Sequence, residues 1–464
     1  MNDNNFNDEF DVKKETASTP PAGGAPVHSA PPAGGVPAKS TRTKKILIAA
    51  GAVVIALVFF FVGWIVRYFT IDSRARTLLW LIDTIEDNYY KEIPDEKWDE
   101  LYAQFYEMAL PDKFCSYFTP EEFKQLLSEG EGNNKDAGFS AIDEDESLRV
   151  YNVIGNSPAA LAGLKSGMYI YSFGTSEDSL KEGDRNALYS LSGSAIYLEC
   201  GYGKDDTKVY CITGDTYLAS YCSYRDSDSS FDFRGTEKLE LTETNNPLAG
   251  ADNKTAYISI CEFNGNVAEE FVQMLGLMKE RGRENLIIDL RRNGGGYLKD
   301  FQSIASHLLK NAEGNSPLVA TAKYRSGRQV KFNADGNDYV KYFSQSSRVS
   351  ILADEWTASA SESLIGALVD YGTVGFSDIY LRKQENGEAH SYGKGVMQSA
   401  FTAVNGSAVR VTSAEIFWPV SGRSIHETGV TEEMGGQGIE APLLHGETDT
   451  MLEEVLSRLN GAAL

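Results

Sequence analysis

The longest uninterrupted apolar stretch of the chain runs from Ile46 to Val66, 21 residues without a charge. As a helix rising about 1.5 Å per residue it would cross a hydrocarbon layer of about 30 Å. It closes on Trp64, and Arg67, Tyr68 and Phe69 follow, residue types that settle at a membrane interface. A secretory signal would carry a shorter apolar run nearer the N-terminus and a small-residue cleavage site after it. A transmembrane helix is therefore expected over 46–67. Lys39, Arg42, Lys44 and Lys45 precede it, with Lys13 and Lys14 further back. The positive-inside tendency then keeps the N-terminus cytoplasmic and the rest of the chain outside. Residues 1–45, with PPAGGAP repeated as PPAGGVP, cannot bury a core and are expected to be a disordered tether.

Beyond the span the periodicity changes twice. Over 71–135 it is helical: Leu78, Leu79, Leu81, Ile82 and Ile85 share one face, and Trp98, Leu101, Phe105 and Met108 another. Thr119-Pro120-Glu121-Glu122 reads as a helix start, with a capping hydroxyl, proline at the first position and acids in the first turn. Over 136–235 short alternating runs predict strands: GFSAID, LRVYNVI, and a hairpin turning at Gly203–Asp206. Asn156-Ser157-Pro158 breaks the chain before a short helix over 159–164, closed at Gly167. From 236 to 464 strand and helix alternate. Asn285–Leu290 and Val349–Glu355 are nearly unbroken apolar runs, as in strands buried on both faces, and helices are expected over Val267–Glu280, Tyr297–Leu309 and Ala360–Tyr371. The fold class is thus a multidomain α+β/α-β protein whose last portion is an α/β core.

Length and charge narrow the function. A chain of 464 residues implies two or three folded units. The formal net charge of −23 repels nucleic acid, so no nucleic-acid partner is expected. Five cysteines include no CxxC pair, and the five histidines are scattered, so no metal and no cofactor is expected. Cys200 and Cys211 flank the hairpin and are candidates to bridge; free buried thiols are the other reading.

Two turns leave the C-terminal ends of buried strands, where open α/β sheets place their sites. Asn293-Gly294-Gly295-Gly296 lets the backbone approach another group closely and leaves N–H groups to face an anion; a plain strand-to-helix turn is the competing reading. Thr357-Ala358-Ser359-Ala360-Ser361-Glu362 presents a serine at a helix N-terminus, where the dipole and free N–H groups favour developing negative charge. Ser359-x-x-Glu362 is also a capping box in its own right. No histidine lies in a comparable loop. The candidate base is Lys394 in Tyr392-Gly393-Lys394-Gly395, since a lysine in a dry pocket loses its proton readily; a surface turn lysine is the bland alternative.

At these residues the chain resembles the C-terminal processing, or tail-specific, serine protease family, over roughly residues 76–445. The resemblance is carried by blocks in order: Phe114–Phe123, Asn156–Gly167, Asp289–Gly296, Ala358–Glu362 with Asp370-Tyr371-Gly372, Gly393-Lys394-Gly395 with Gln398, and Ser421–Ile425. It implies Ser359 as nucleophile, Lys394 as general base and Gln398 as the residue orienting the lysine amine. It implies an oxyanion hole from the backbone N–H groups of Ala360 and of Gly295 or Gly296. A PDZ-like domain over 136–235 would hold a substrate C-terminus, with Ala137, Gly138 and Phe139 facing its carboxylate. Trp356 stands where the family commonly has glycine. The expected partners are polypeptides with accessible C-termini, and a lipid bilayer around 46–66. The expected organisation is a tail (1–45), a span (46–67), a helical segment (71–135), the PDZ-like domain (136–235) and a protease core (236–464). The alternative is an inactive anchored scaffold that binds protein C-termini.

Overall fold

The computed structural model describes residues 53–63, 72–88, 91, 93–110, 112–144, 147–191 and 195–461. They fall into two units, Met1–Ile93 and Pro94–Leu464. The first contains a helical stretch over 53–63 and helix α1 (Ser73–Asn88). Among the described residues no helix is long and apolar enough to cross a membrane. The expected tail 1–45, and residues 46–52 and 64–67 of the expected span, lie outside the described residues.

The second unit begins with α2 (Asp95–Ala109), β1 (Ser116–Phe118) and α3 (Pro120–Gly130). Thr119 and Glu122 form a reciprocal capping box on α3: the Glu122 N–H donates to Thr119 Oγ1, and the Thr119 N–H to Glu122 Oε2. Next come β2 (Asn133–Asp136), β3 (Phe139–Glu144), β4 (Ser147–Val153), α4 (Pro158–Ala162), β5 (Tyr169–Gly174), α5 (Arg185–Tyr189), β6 (Ile196–Gly201), β7 (Lys208–Ile212) and β8 (Asp215–Leu218). Strands β3 to β7 form a five-stranded antiparallel sheet in sequence order, with β3 at one edge, and β2 pairs with β8. Ser157 caps α4 with its hydroxyl, and Gly163 ends the helix in the left-handed region at φ 92°, four residues before the expected glycine.

The remainder comprises β9 (Cys222–Asp226), β10 (Ser230–Arg234), β11 (Glu240–Thr244), β12 (Thr255–Ile260), α6 (Val267–Glu280), β13 (Asn285–Asp289), α7 (Leu298–Ala305), β14 (Leu318–Tyr324), β15 (Gln329–Asn333), α8 (Tyr339–Tyr342), β16 (Val349–Ala353), α9 (Ala360–Asp370), β17 (Ile379–Lys383), β18 (Val396–Thr402), β19 (Ala408–Phe417), β20 (Gln437–Glu440) and α10 (Thr450–Gly461). An eight-stranded sheet runs β11-β10-β9-β12-β13-β16-β17-β20, parallel from β12 onward. Its two faces bury different side chains. Leu286 and Ile288 join the core beneath α6, α7 and α9, while Ile287 and Leu352 pack with Met451, Leu452 and Val455 of α10. This is why β13 and β16 read as unbroken apolar runs. A second sheet, β1-β19-β14-β15 with β18 on β19, closes the other side of the first core.

Two expected boundaries change. Residues 222–234, placed with the PDZ-like segment, are strands β9 and β10 of the large sheet, with Tyr257 of β12 opposite Arg225 of β9. Alternation marks a strand but not the sheet it joins, and here the pairing partner lies across a long loop. Likewise 71–135 is not purely helical, because Ser116–Phe118 adds a strand to β19. The five cysteines are free. Cys211 lies opposite Tyr197 and Cys200 opposite Lys208, so the hairpin register keeps these two thiols out of facing positions.

Candidate active site

The turns after β13 and β16 are laced together by buried hydrogen bonds. The Thr357 hydroxyl donates to Leu290 O at 2.8 Å, and the Ala358 N–H to Asn293 O at 2.9 Å. The Ser361 hydroxyl donates to the same carbonyl, and the Asn293 amide to Ile260 O at 2.8 Å. The Arg292 N–H donates to both oxygens of the buried Asp354 carboxylate, at 2.9 and 3.0 Å. Burial raises the Asp354 carboxyl above its usual range. Between these anchors Ser359 sits at φ 59°, ψ −115°, immediately before α9. A non-glycine residue held there costs on the order of 1–3 kcal/mol, a strain that clusters at functional turns. Gly295, at φ 102°, lies so close that a Cβ on it would fall 2.6 Å from Ser359 Cβ.

Glu362, in the first turn of α9, is completely buried. Its Oε2 accepts the Ser359 N–H at 3.0 Å and the Lys394 N–H at 2.9 Å, which holds those two nitrogens within about 6 Å of each other. Its Oε1 accepts the Gly393 N–H at 2.8 Å and the Ser391 hydroxyl at 2.5 Å. The expected capping box is thus half-formed: the glutamate reaches back, but the Ser359 side chain makes no capping bond. Burial pushes the Glu362 carboxyl up to about 6, against the four hydrogen bonds that favour its charged form.

Lys394 lies half-buried, its Nζ 4.7 Å from the centre of the Phe114 ring. Burial lowers its pKa below the usual lysine value, and Arg410 adds to this, while Glu362 and Asp112 oppose it. No hydrogen bond joins Lys394 Nζ to the Ser359 hydroxyl; Glu362 is what brings the two segments together. Gln398, on β18, donates its amide to Thr412 Oγ1 at 3.3 Å and makes no hydrogen bond to Lys394. Among the described residues the N–H groups of Ala360 and Gly296 have no hydrogen-bond partner, whereas the Gly295 N–H donates to Asn293 Oδ1 at 2.9 Å.

Ala137, Gly138 and Phe139 form the turn into edge strand β3. The Ala137 carbonyl accepts the Ala159 N–H, and Gly138, at φ 74°, packs against Ser157. The N–H groups of Ala137 and Gly138 are unpartnered among the described residues. Beside them on the β3 edge, the Ala141 N–H donates to the Tyr189 hydroxyl of α5 at 2.8 Å. Arg292 reaches from the glycine turn to the Tyr151 carbonyl of β4 at 2.8 Å. A cavity of 610 Å³ opens nearby, lined by Asn156, Lys165, Arg225, Arg234 and Arg292, and includes neither Ser359 nor Lys394.

Sequence reasoning missed what Glu362 and Phe114 do. Glu362 carries a local explanation as a cap, and nothing local to Phe114 points to a lysine 280 positions away.

Residues 254–435 match the model of peptidase family S41. The carboxy-terminal processing protease CtpB of Bacillus subtilis is 25% identical over 356 residues, covering 75% of this chain and 65% of that protein. The carboxyl-terminal-processing protease of Synechocystis sp. is 27% identical over 374 residues, 79% of this chain and 76% of that one. Among solved structures, the photosystem II D1 C-terminal processing protease covers 82% of this chain at 19% identity, with a TM-score of 0.47.

Proposed function

We propose, on the premise that residues 254–435 make this chain a serine peptidase of family S41, that it is a membrane-anchored endopeptidase trimming exported or membrane-attached proteins near their C-termini. Ser359 is the nucleophile and Lys394 the general base. The observation that carries this reading is the one Glu362 oxygen that accepts the N–H groups of both residues.

The neutral Lys394 amine takes the proton from Ser359 Oγ as that oxygen attacks the scissile carbonyl carbon, giving an ammonium and a tetrahedral oxyanion. Burial lowers the Lys394 pKa and so favours the neutral form of the amine. The unpartnered N–H groups of Ala360 and Gly296 are the donors open to the oxyanion; Gly295 would first have to leave Asn293. On collapse the C–N bond breaks and the ammonium returns its proton to the leaving amine. Water then attacks the acyl carbon as Lys394 takes its proton; on collapse the C–Oγ bond breaks, the ammonium returns the proton to Ser359 Oγ and the carboxyl product leaves. For the first step the lysine side chain turns from the Phe114 ring toward Ser359, with the Gln398 amide oxygen as the acceptor that orients it.

The substrate C-terminus adds as a strand along β3, its carboxylate at the N–H groups of Ala137, Gly138 and Phe139, after the Tyr189 hydroxyl withdraws from Ala141. The apolar run 46–66 anchors the chain, with the N-terminus cytoplasmic and the peptidase outside. Ser359→Ala and Lys394→Ala are tested in the full-length protein on an unstructured polypeptide, alongside a serine-reactive fluorophosphonate. Loss of cleavage in both, and of labelling in Ser359→Ala, is expected. Full cleavage by both variants would end the reading. Absent labelling of the wild type with tight binding of C-terminal peptides would favour the scaffold instead.

A further inference from the structure

The base of this reaction has a cover built from a distant part of the chain. Phe114 precedes β1, and its ring centre lies 4.7 Å from Lys394 Nζ. The ring is held from three sides. The Phe114 N–H donates to Asp112 Oδ1 at 2.9 Å, closing a tight turn with the Cys115 N–H on Asp112 O at 3.0 Å. Strand β1, which follows at once, pairs with β19, Ser116 opposite Arg410. Tyr392, two residues before Lys394, meets the ring edge-on at 6.3 Å. Lys113 bonds the Tyr392 hydroxyl with its ammonium, which also lies 5.2 Å from the Phe114 ring centre. A residue 280 positions upstream is thereby locked over the amine.

We propose that Phe114 is a positioning residue that keeps water off the Lys394 amine and so sets the fraction of it that is neutral at working pH. This rests on Lys394 being the general base. Two effects of the ring oppose each other. Its face attracts a cation and favours the charged amine. Its bulk excludes water and disfavours it. Burial is the largest influence on Lys394 and lowers its pKa, and the ring, closed in by the Asp112 turn, β1 and Tyr392, is part of that cover, so its removal is expected to raise the pKa. The charged groups around the amine are Arg410 on β19, which also disfavours its charge, Glu362 on α9 and Asp112 before β1, which favour it, and the Lys113 ammonium, 5.2 Å from the centre of the same ring. None of these is removed by changing Phe114.

The two effects separate in two variants. Phe114→Ala removes both ring and cover. Water reaches the amine, its pKa rises, and the acid limb of the kcat/KM profile moves to higher pH by about one unit, a roughly tenfold loss at pH 7 that is recovered at alkaline pH. Phe114→Leu keeps an apolar cover without the ring, so its limb stays where it is or moves slightly to lower pH. The assay is cleavage of a quenched fluorescent unstructured peptide by the full-length protein from pH 5 to 10. A Phe114→Ala limb at the wild-type position, with activity lowered equally at every pH, would overturn the proposal. So would a Phe114→Leu limb shifted as far as that of Phe114→Ala. If Phe114→Ala does not fold, Phe114→Val, a smaller cover, must move the limb the same way by less, and failure to move it counts against the proposal. Lys394→Ala separates the two claims. If it is inactive while the Phe114 limbs are unmoved, only the role of Phe114 falls; if it is fully active, the general-base reading falls with it.

Discussion

Replacing Glu362 with glutamine tests the junction between the Ser359 and Lys394 segments. The carboxylate accepts four hydrogen bonds, two on each oxygen. Glutamine offers one acceptor oxygen and an NH₂ group. In the better orientation the oxygen keeps the Ser359 and Lys394 N–H groups, and the Ser391 hydroxyl rotates to accept from the NH₂. The Gly393 N–H is then left facing a donor, an unsatisfied buried group costing about 1–3 kcal/mol. The remaining bonds lose their charge assistance, about 1 kcal/mol each. Against this, the charge itself is costly. A carboxyl pushed from 4.5 to about 6 by burial disfavours its ionised form by about 2 kcal/mol at neutral pH. Folding stability should therefore fall by about 2–4 kcal/mol at neutral pH, while the loosened junction lowers kcat/KM about 100-fold at pH 7, the scale of an ångström misplacement. The sign of the pH effect follows from the raised folded value. The native state holds the proton more tightly than the unfolded chain, so the Glu362 contribution is full below about pH 4.5 and lost as pH rises through about 6. Chemical denaturation of wild type and variant at matched pH values should show wild type losing about 2 kcal/mol relative to Glu362→Gln between pH 4 and 7. Activity within threefold of wild type, or a stability difference that does not change with pH, would refute this account.

Gly295→Ala places a methyl against Ser359 Cβ at a residue with φ 102°, and should lower kcat/KM by more than about 100-fold with far-UV circular dichroism unchanged. Asp226 is buried between Arg281 and Arg283, at 2.6 and 3.0 Å, and these hold its carboxyl well below the usual range. Its contribution is present above about pH 4 and lost as pH falls; Asp226→Asn should cost about 3–5 kcal/mol at pH 7 in denaturant titrations and flatten the acid limb of stability. Cys211 is exposed while Cys200 and Cys222 are buried, with thiols pushed up by burial. A thiol reagent should thus label Cys211 in the native protein and reach the other two only after unfolding.

Local chemistry wrote much of this molecule into its order of residues. Unbroken apolar runs mark β13 and β16 because both faces of a parallel strand are covered, and caps mark α3 and α4 because a helix start must satisfy its own N–H groups. The glycine turn and the serine ahead of α9 were legible for the same reason: each follows a recognisable strand and obeys a short-range rule. What only the tertiary structure decided is pairing between distant segments. Strands β9 and β10 alternate like their neighbours, yet belong to the large sheet because β12 meets them there. Glu362 looks like a cap and also binds Ser391, Gly393 and Lys394, some thirty residues on. Phe114 covers Lys394 because β1 and β18 both dock on β19, and Gln398 turns to Thr412 through the same pairing. Burial, pKa and the approach of one side chain to another arise from such packing, which a periodicity read one segment at a time does not contain.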